Sequence, residues 1–199
     1  MSRARDNADL GDSYGSLGAG VTGGSGLDKL GTVATGVLGA SVTGGAGLTP
    51  ATPYAHFWHS KSSGQDGGTA TAGSFNTRLL NNSTISMTGC SLSSNQITLP
   101  AGTYFCTGFA PSRDVDGNKA RLQNITDSST LILGSTALCA DAYNGFSESW
   151  MLGVFVLTGT KVLEVQHRVT TTKTTFGLGG QVTFGVEEIF TQIQFLKIG

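Results

Sequence analysis

The chain has 199 residues, of which 12 are basic and 13 acidic, so its formal net charge is −1. Charged residues make up 13% of the sequence, about half of the usual share, and no basic stripe supplies the attraction that nucleic-acid binding needs. The longest apolar run, residues 150–157, is interrupted by Gly153 and is far shorter than the roughly 20 residues that span a bilayer. We therefore expect neither a nucleic-acid partner nor membrane insertion.

The first 49 residues differ in composition from the rest of the chain. They contain 13 of the 30 glycines and one aromatic residue, Tyr14. Glycine loses much conformational freedom on ordering, and this arm has little apolar surface to offset that loss, so it has no basis for a core of its own. Residues 1–6 are polar and precede no apolar stretch, so we expect no secretory signal and synthesis in the cytoplasm.

A repeat runs through this Gly-rich arm. Val21-Thr22-Gly23-Gly24 returns as Val42-Thr43-Gly44-Gly45, offset by 21 residues. Isolated Leu and Val residues give each chain a narrow apolar strip, and three intertwined chains could enclose such strips in a common core. Composition alone also fits a flexible linker. We favour an extended attachment and trimerisation arm over residues 1–49. The residues expected to carry it are Arg3, Arg5, Val21, Leu27, Leu30, Val33, Leu38, Val42 and Leu48.

Residues 50–199 are predicted to form a single head domain. The segment 49–53 marks the boundary, because Pro50 and Pro53 end regular pairing. Strand signals then recur every 8–15 residues without sustained helical periodicity. The expected strands are residues 54–59, 75–80, 96–99, 103–110, 119–126, 130–134, 150–157, 161–169 and 184–198. About ten short strands without helical crossovers predict an all-β fold, an antiparallel jelly-roll sandwich.

One segment of the head resembles part of a cation-binding loop. Asp114, Asp116 and Asn118 place oxygens at alternate positions, as calcium loops do, but the closing bidentate Glu of such a loop is missing. Asp116-Gly117 is also a strong hairpin signal. We favour a hairpin turn and leave these three residues as weak metal candidates.

Histidines and cysteines give no metal-binding pattern. His56 and His59 are three apart on a predicted strand and point to opposite faces. His167 lies on an apolar face, where a histidine is usually a satisfied core or interface residue. Cys90, Cys106 and Cys139 are an odd count without metal-like spacing, so buried free thiols are favoured over a single disulfide.

Catalysis has no positive support in the sequence. Glu187 and Glu188 are neighbours on a predicted strand and point apart, and no other carboxylate pair is suggested. A serine-centred nucleophile elbow and a phosphate-binding loop are both missing. We expect a protein that is not an enzyme and needs no cofactor.

The head resembles bacteriophage virion proteins that have the jelly roll shared by the complement globular head and tumour necrosis factor. The matching segments are residues 67–74 (Gly-Gly-Thr-Ala-Thr-Ala-Gly-Ser), 77–81 (Thr-Arg-Leu-Leu-Asn), 99–104 (Leu-Pro-Ala-Gly-Thr-Tyr), 120–124 (Ala-Arg-Leu-Gln-Asn), 163–168 (Leu-Glu-Val-Gln-His-Arg) and 184–189 (Phe-Gly-Val-Glu-Glu-Ile). The resemblance implies a homotrimer whose first, last and central strands face the threefold axis. On that basis the trimer-interface candidates are Phe57, Tyr104, His167 and Phe195.

The arm is similar to N-terminal segments of tail fibres, which attach the fibre to the particle. The expected function is therefore a homotrimeric tail fibre in the virion, anchored to other virion proteins by its arm. Its loops at residues 61–68, 112–118 and 140–149 then face a host cell-surface glycan or protein, with Asp141, Tyr143, Asn144 and Phe146 as receptor-facing residues. The alternative is a capsid head fibre or decoration protein that stabilises the shell without binding a receptor.

Overall fold

The computed structural model describes residues 52–140 and 144–199, which contain twelve β-strands and no helix. The strands are β1 Tyr54–Lys61, β2 Phe75–Thr77, β3 Asn82–Ile85, β4 Ser91–Ser93, β5 Gln96–Leu99, β6 Gly102–Arg113, β7 Asp116–Asn124, β8 Ser129–Leu133, β9 Ala137–Cys139, β10 Phe146–Leu157, β11 Lys161–Val169 and β12 Glu188–Lys197. The expectation of an all-β fold is confirmed.

The strands form two antiparallel sheets. A five-stranded sheet has the order β10-β6-β12-β1-β3. A seven-stranded sheet has the order β4-β5-β11-β7-β8, with β2 paired to β11 and β9 paired to β7. From β5 to β7 and again from β9 to β12, each strand lies in the sheet opposite to its predecessor. These repeated crossings make the sandwich a jelly roll, as predicted.

The core lies between the sheets because the long strands keep a period of two. On β6, for example, Tyr104, Cys106 and Ala110 are fully buried, while Phe105, Thr107 and Phe109 are only partly covered. From the opposite sheet, Leu122 and Val165 are also fully buried in the same cluster. Burial of each large apolar side chain of this kind contributes about 1.5–3 kcal/mol to folding.

Several strand boundaries differ from the sequence-based expectation. The last strand was predicted to start at residue 184, but β12 begins at Glu188. Thr183 and Gly185 have positive φ angles of 55° and 79°, which end regular pairing, and Phe184 is 81% exposed between them. The predicted strand 75–80 is shorter, and the short strands β3, β4 and β9 were not predicted. All three carry little of the apolar alternation that identifies a strand from sequence.

The turn at Asp114 also differs from prediction. Residues 114–115 connect β6 of the five-stranded sheet to β7 of the seven-stranded sheet, so the chain crosses the sandwich there. The expected hairpin is therefore wrong. Asp114 and Asp116 both have positive φ, at 54° and 58°, which allows the sharp change of direction.

Four connections gather at one end of the sandwich, which we call the loop end. They are residues 62–74, 114–115, the described parts of 140–145, and 170–187. Backbone hydrogen bonds join them: the Gly67 amide donates to the Gly179 carbonyl at 2.8 Å, and the Asp114 amide donates to the Gly145 carbonyl at 2.9 Å. Strand β1 runs towards this end, so the described chain enters the sandwich at the opposite end.

Candidate functional site

Along strand β10 the outer side of the five-stranded sheet is apolar, where an exposed sheet side is normally polar. Strand β10 alternates strictly, and its outward residues Trp150, Leu152, Val154 and Val156 are 51%, 67%, 58% and 63% exposed. A contiguous row of large apolar side chains facing solvent marks an interaction surface.

Neighbouring strands extend this row across the sheet. Phe105 and Phe109 of β6 are half-buried beside it, and the rings of Phe109 and Trp150 lie 5.0 Å apart. Further across, Trp58 of β1 stacks on His56 with ring centroids 4.9 Å apart, and Leu196 of β12 lies between β6 and β1. We call this surface the apolar face: Trp58, Phe105, Phe109, Trp150, Leu152, Val154, Val156 and Leu196.

A shallow depression of about 170 Å³ lies within this surface. It is lined by His56, Thr107, Phe109, Trp150 and Gln192, with backbone of the neighbouring strands. The apolar face therefore has relief that a side chain from another molecule can fill.

Three predicted trimer-interface residues lie on the inner side of the five-stranded sheet. Phe57, Tyr104 and Phe195, on β1, β6 and β12, are fully buried in the core. The Phe57 and Phe195 rings pack edge to face with centroids 6.2 Å apart. Because these side chains have no exposed surface, their assignment to an interface is wrong. The residues that face outward on the same strands are their immediate neighbours in sequence.

His167 is also a core residue rather than an interface residue. It lies on β11 in the seven-stranded sheet and is fully buried. Its Nδ1 lies 3.4 Å from Nη1 of Arg78, and its Nε2 lies 3.0 Å from Oδ1 of Asn118. Burial, reinforced by the Arg78 charge, lowers the pKa of His167 to about 3. A neutral imidazole satisfies both contacts, because Nδ1 accepts from Arg78 and Nε2 donates to Asn118.

Arg78 is the largest fully buried side chain in the described part of the chain. Its guanidinium donates to the Pro111 carbonyl at 3.1 Å, to the Leu178 carbonyl at 2.7 Å and to the Thr191 hydroxyl. Burial lowers the pKa of Arg78 to about 9. Arg78 therefore ties β6, β12 and the loop 170–187 together near the loop end. No sequence signal separates it from an exposed arginine.

The weak metal candidates each have hydrogen-bond partners within the protein. Oδ1 of Asp114 accepts from the Gly145 amide at 2.7 Å, and Asp116 accepts from the Thr171 hydroxyl. Asn118 is held by His167 and by the Ser147 hydroxyl, at 2.8 Å from its Nδ2. Within the described ranges no group of three His, Cys, Asp or Glu side chains is placed to hold a metal ion. The structure gives these residues partners within the protein and adds no support to the interpretation as a cation loop.

Two of the four receptor-facing candidates can be placed at the loop end. Nη2 of Arg113 donates to Oδ1 of Asn144 at 2.6 Å, and its guanidinium lies 5.3 Å from the Phe146 ring and 4.9 Å from the Phe176 ring. Phe146 is half-exposed. Asp141 and Tyr143 lie outside the described residues. Arg113 and Phe176 were not predicted from sequence, because their contacts join loops that are distant along the chain.

The remaining sequence-based assignments concern the arm and the cysteines. The arm residues Arg3, Arg5, Val21, Leu27, Leu30, Val33, Leu38, Val42 and Leu48 lie outside the described residues. All three cysteines are free thiols, as favoured. Burial raises the pKa of Cys106 to about 12 and that of Cys90 to about 11, so neither thiol is reactive near neutral pH. The described ranges contain no helix long and apolar enough to cross a bilayer.

Comparisons with known proteins find similarity in the fold alone. No protein-family model matches the chain, and no curated protein matches it. Among solved structures, murine APRIL at pH 5.0 is 12% identical with a TM-score of 0.48. Murine APRIL at pH 8.5 is 14% identical with a TM-score of 0.44. Each match covers 74% of this chain and 100% of the other. At such identities the similarity says nothing about partners or function.

Proposed function

We propose that this chain is the subunit of a homotrimeric bacteriophage fibre whose jelly-roll heads associate through the apolar face. The observation that carries the proposal is the row Trp150, Leu152, Val154 and Val156, which one chain leaves exposed. Covering the exposed half or more of each of these side chains contributes about 1–2 kcal/mol, so a lone copy has a strong drive to cover them.

Identical copies are the simplest partners for this surface. Most soluble oligomers have closed symmetry, and rotation about one axis buries the same surface on every copy. A threefold rather than a twofold arrangement is supported by the resemblance of the sequence to trimeric jelly-roll proteins. The role in a virion is supported by the ordered phage-like segments and the Gly-rich arm.

The loop end is the proposed recognition surface. It combines the half-exposed Phe146 with the polar Asn144 and Arg113, a mixture suited to carbohydrate contacts. Strand β1 begins at the opposite end of the sandwich from this surface. Three copies raise the avidity of weak single-site binding.

Light scattering on the full-length protein tests the assembly directly. We expect the mass of a trimer for the wild type. We expect Leu152→Glu to lose association, because covering the apolar face would bury the new carboxylate and cost its hydration free energy. Leu133→Glu is the matched control, since Leu133 is similarly exposed, at 59%, on β8 of the other sheet. A monomeric wild type, or equal dissociation of both variants, contradicts the proposal.

The position of the chain in the particle tests the fibre role. Antibody labelling of intact virions is expected to mark projecting fibres, and particles that lack the protein are expected to adsorb poorly to cells. Labels distributed flat over the shell, with normal adsorption and reduced heat resistance, identify a decoration protein instead.

A further inference from the structure

The outer side of the seven-stranded sheet differs from the apolar face in chemistry, because it carries a cluster of cations. In register across three adjacent strands, Phe75 of β2 pairs with Arg168 of β11, and Arg168 pairs with Lys119 of β7. All three lie outside the core on the same side of the sheet. Arg121 lies two residues along β7 from Lys119 and on that same side.

The pairing of Lys119 with Arg168 is unfavourable in an isolated protein. Side chains directly opposite on antiparallel strands have Cβ atoms about 5 Å apart, and like charges there destabilise the sheet. In the described part of the chain the ion pairs are Arg113–Asp114 and Lys161–Asp127, so neither cation is neutralised by one.

The carboxylate on this side of the sheet is committed elsewhere. Glu164 accepts from Gln96 at 3.0 Å, from Thr77 at 3.1 Å and from Gln166 at 2.8 Å. It lies four residues along β11 from Arg168, towards the other end of the strand. The two facing cations therefore keep a net positive field.

A groove of about 330 Å³ adjoins the cations. It is lined by Phe75, Gly117, Lys119, Thr136, Arg168 and Thr170. That volume is at the small end of the range of about 300–1,000 Å³ for ligand sites. Charge, hydroxyl groups and an aromatic ring thus meet in one concavity beside the loop end.

The aromatic wall of this groove is fixed in place. The Arg121 guanidinium lies 3.7 Å from the Phe75 ring centroid. Arg121 is itself held by two hydrogen bonds to Oε1 of Gln166, at 2.9 and 2.8 Å. Since a guanidinium covers one side of the ring, the other side and its edge are what a ligand can contact.

We propose that this cationic groove binds an anionic sugar residue of a surface polysaccharide. Its carboxylate or sulfate lies between Lys119 and Arg168, its ring packs beside Phe75, and its hydroxyls meet Thr136 and Thr170. The positive charge of the groove favours an anionic ligand. Because the net charge of the whole protein is −1, this attraction for an anion comes from the groove and not from the protein as a whole. The inference depends on the proposed host-surface role for the source of the sugar, but not on the trimer.

Calorimetric titration of the full-length protein tests the site with defined probes. Oligogalacturonate supplies carboxylates, dextran sulfate supplies sulfates, and neutral dextran supplies neither. We expect binding of at least one anionic probe and none of neutral dextran. Lys119→Gln and Arg168→Gln each remove one charge-assisted contact and are expected to weaken binding about tenfold. Lys161→Gln is the matched control, because it removes a paired cation at the far end of β11.

Three results overturn the proposal. They are equal weakening by Lys161→Gln, unchanged binding in the double variant Lys119→Gln/Arg168→Gln, and tighter binding of a single-stranded DNA oligonucleotide than of either acidic sugar. Misfolding does not mimic a positive result, since removing the facing charges is expected to raise the melting temperature while binding falls.

Failure of this site and failure of the proposed trimer give different readings. Light scattering on the same samples reports the oligomer, and the double variant is expected to keep the wild-type mass. A monomer that still binds the acidic sugar retains the groove and rejects the trimer. A trimer that binds none of the probes retains the proposed assembly and rejects the groove as a binding site.

Discussion

Tyr104 and Phe105 are neighbours on β6, yet their rings lie on opposite sides of the five-stranded sheet. Tyr104 is fully buried, stacks on Phe155 with centroids 5.5 Å apart, and donates its hydroxyl to the Pro100 carbonyl at 2.7 Å. Phe105 faces outward opposite Val154 of β10. The sheet therefore has an apolar layer on each side, and a single chain covers only the inner one.

On β1, the adjacent residues Phe57 and Trp58 likewise face opposite sides of the sheet, so substitutions there distinguish effects on folding from effects on association. Phe57→Ala leaves a cavity in the core and is expected to destabilise the fold by about 3–5 kcal/mol. Trp58→Ala removes a half-exposed ring, so it is expected to cost the isolated fold much less and to weaken association more. Urea unfolding measured at several protein concentrations separates the two effects, since association makes stability concentration-dependent. A larger loss of folding stability in Trp58→Ala than in Phe57→Ala contradicts the assignment of the two faces.

Arg78 is expected to be essential to the packing of the loop end. In Arg78→Met the Pro111 and Leu178 carbonyls lose their donor, and each buried acceptor left unsatisfied costs about 1–3 kcal/mol. Relief from burying a charge offsets part of that cost, so we expect a net destabilisation of about 3 kcal/mol by urea unfolding. Arg78→Lys keeps the charge and is also expected to be destabilised, because one ammonium cannot reach acceptors on separate segments. Wild-type stability in either variant shows that these contacts contribute little.

Stability is expected to fall in mild acid because of His167. The unfolded chain binds a proton near the ordinary pKa of 6.5, whereas the folded pKa is about 3. The unfolded state therefore holds more protons between these values, and the stability contributed by the neutral ring is complete above pH 6.5 and is lost as the pH falls towards 3. His59 acts in the same direction, since burial, with the Arg78 and Lys61 charges, lowers its pKa to about 4.

A variant isolates the His167 contribution. His167→Gln keeps one donor and one acceptor without a titrating ring, so the free energy of unfolding is expected to fall less steeply with acid than in the wild type. Urea unfolding between pH 7 and pH 4 measures the difference. Parallel curves for wild type and variant assign the acid sensitivity to other groups.

The fold class was predictable because the long strands carry their own pattern. Partly covered and buried residues alternate along β6 from Thr103 to Arg113, and a period of two over so many residues is a strong local signal for a strand covered on one side. The short edge strands β3, β4 and β9 have three or four residues each and pair in ways that local sequence does not encode. The connection at Asp114 was predicted as a hairpin because a local turn signal does not determine whether the next strand pairs with the previous one or joins the opposite sheet.

The side chains that face outward could not be identified from the sequence. The resemblance implied that the first, last and central strands face a threefold axis, which stays a prediction, and Phe57 and Trp58 are equally plausible outward-facing residues when only a sequence is known. Which of two adjacent aromatics faces inward depends on the position of the second sheet. The cationic groove was missed because Phe75, Lys119 and Arg168 are brought together only by strand register.

Strand β10 lies at the margin of its sheet. Ser135 takes the amide and the carbonyl of Trp150 there, and beyond that point the edge of β10 runs beside the uncovered row of Leu152 to Val156. Such an uncovered, weakly charged margin is a template for unwanted strand addition. Under the proposed assembly, newly made chains therefore face a competition between ordered self-association and precipitation. High synthesis rates favour precipitation unless matching copies meet quickly. Production of several copies from one messenger RNA brings them close together and therefore has a physical advantage.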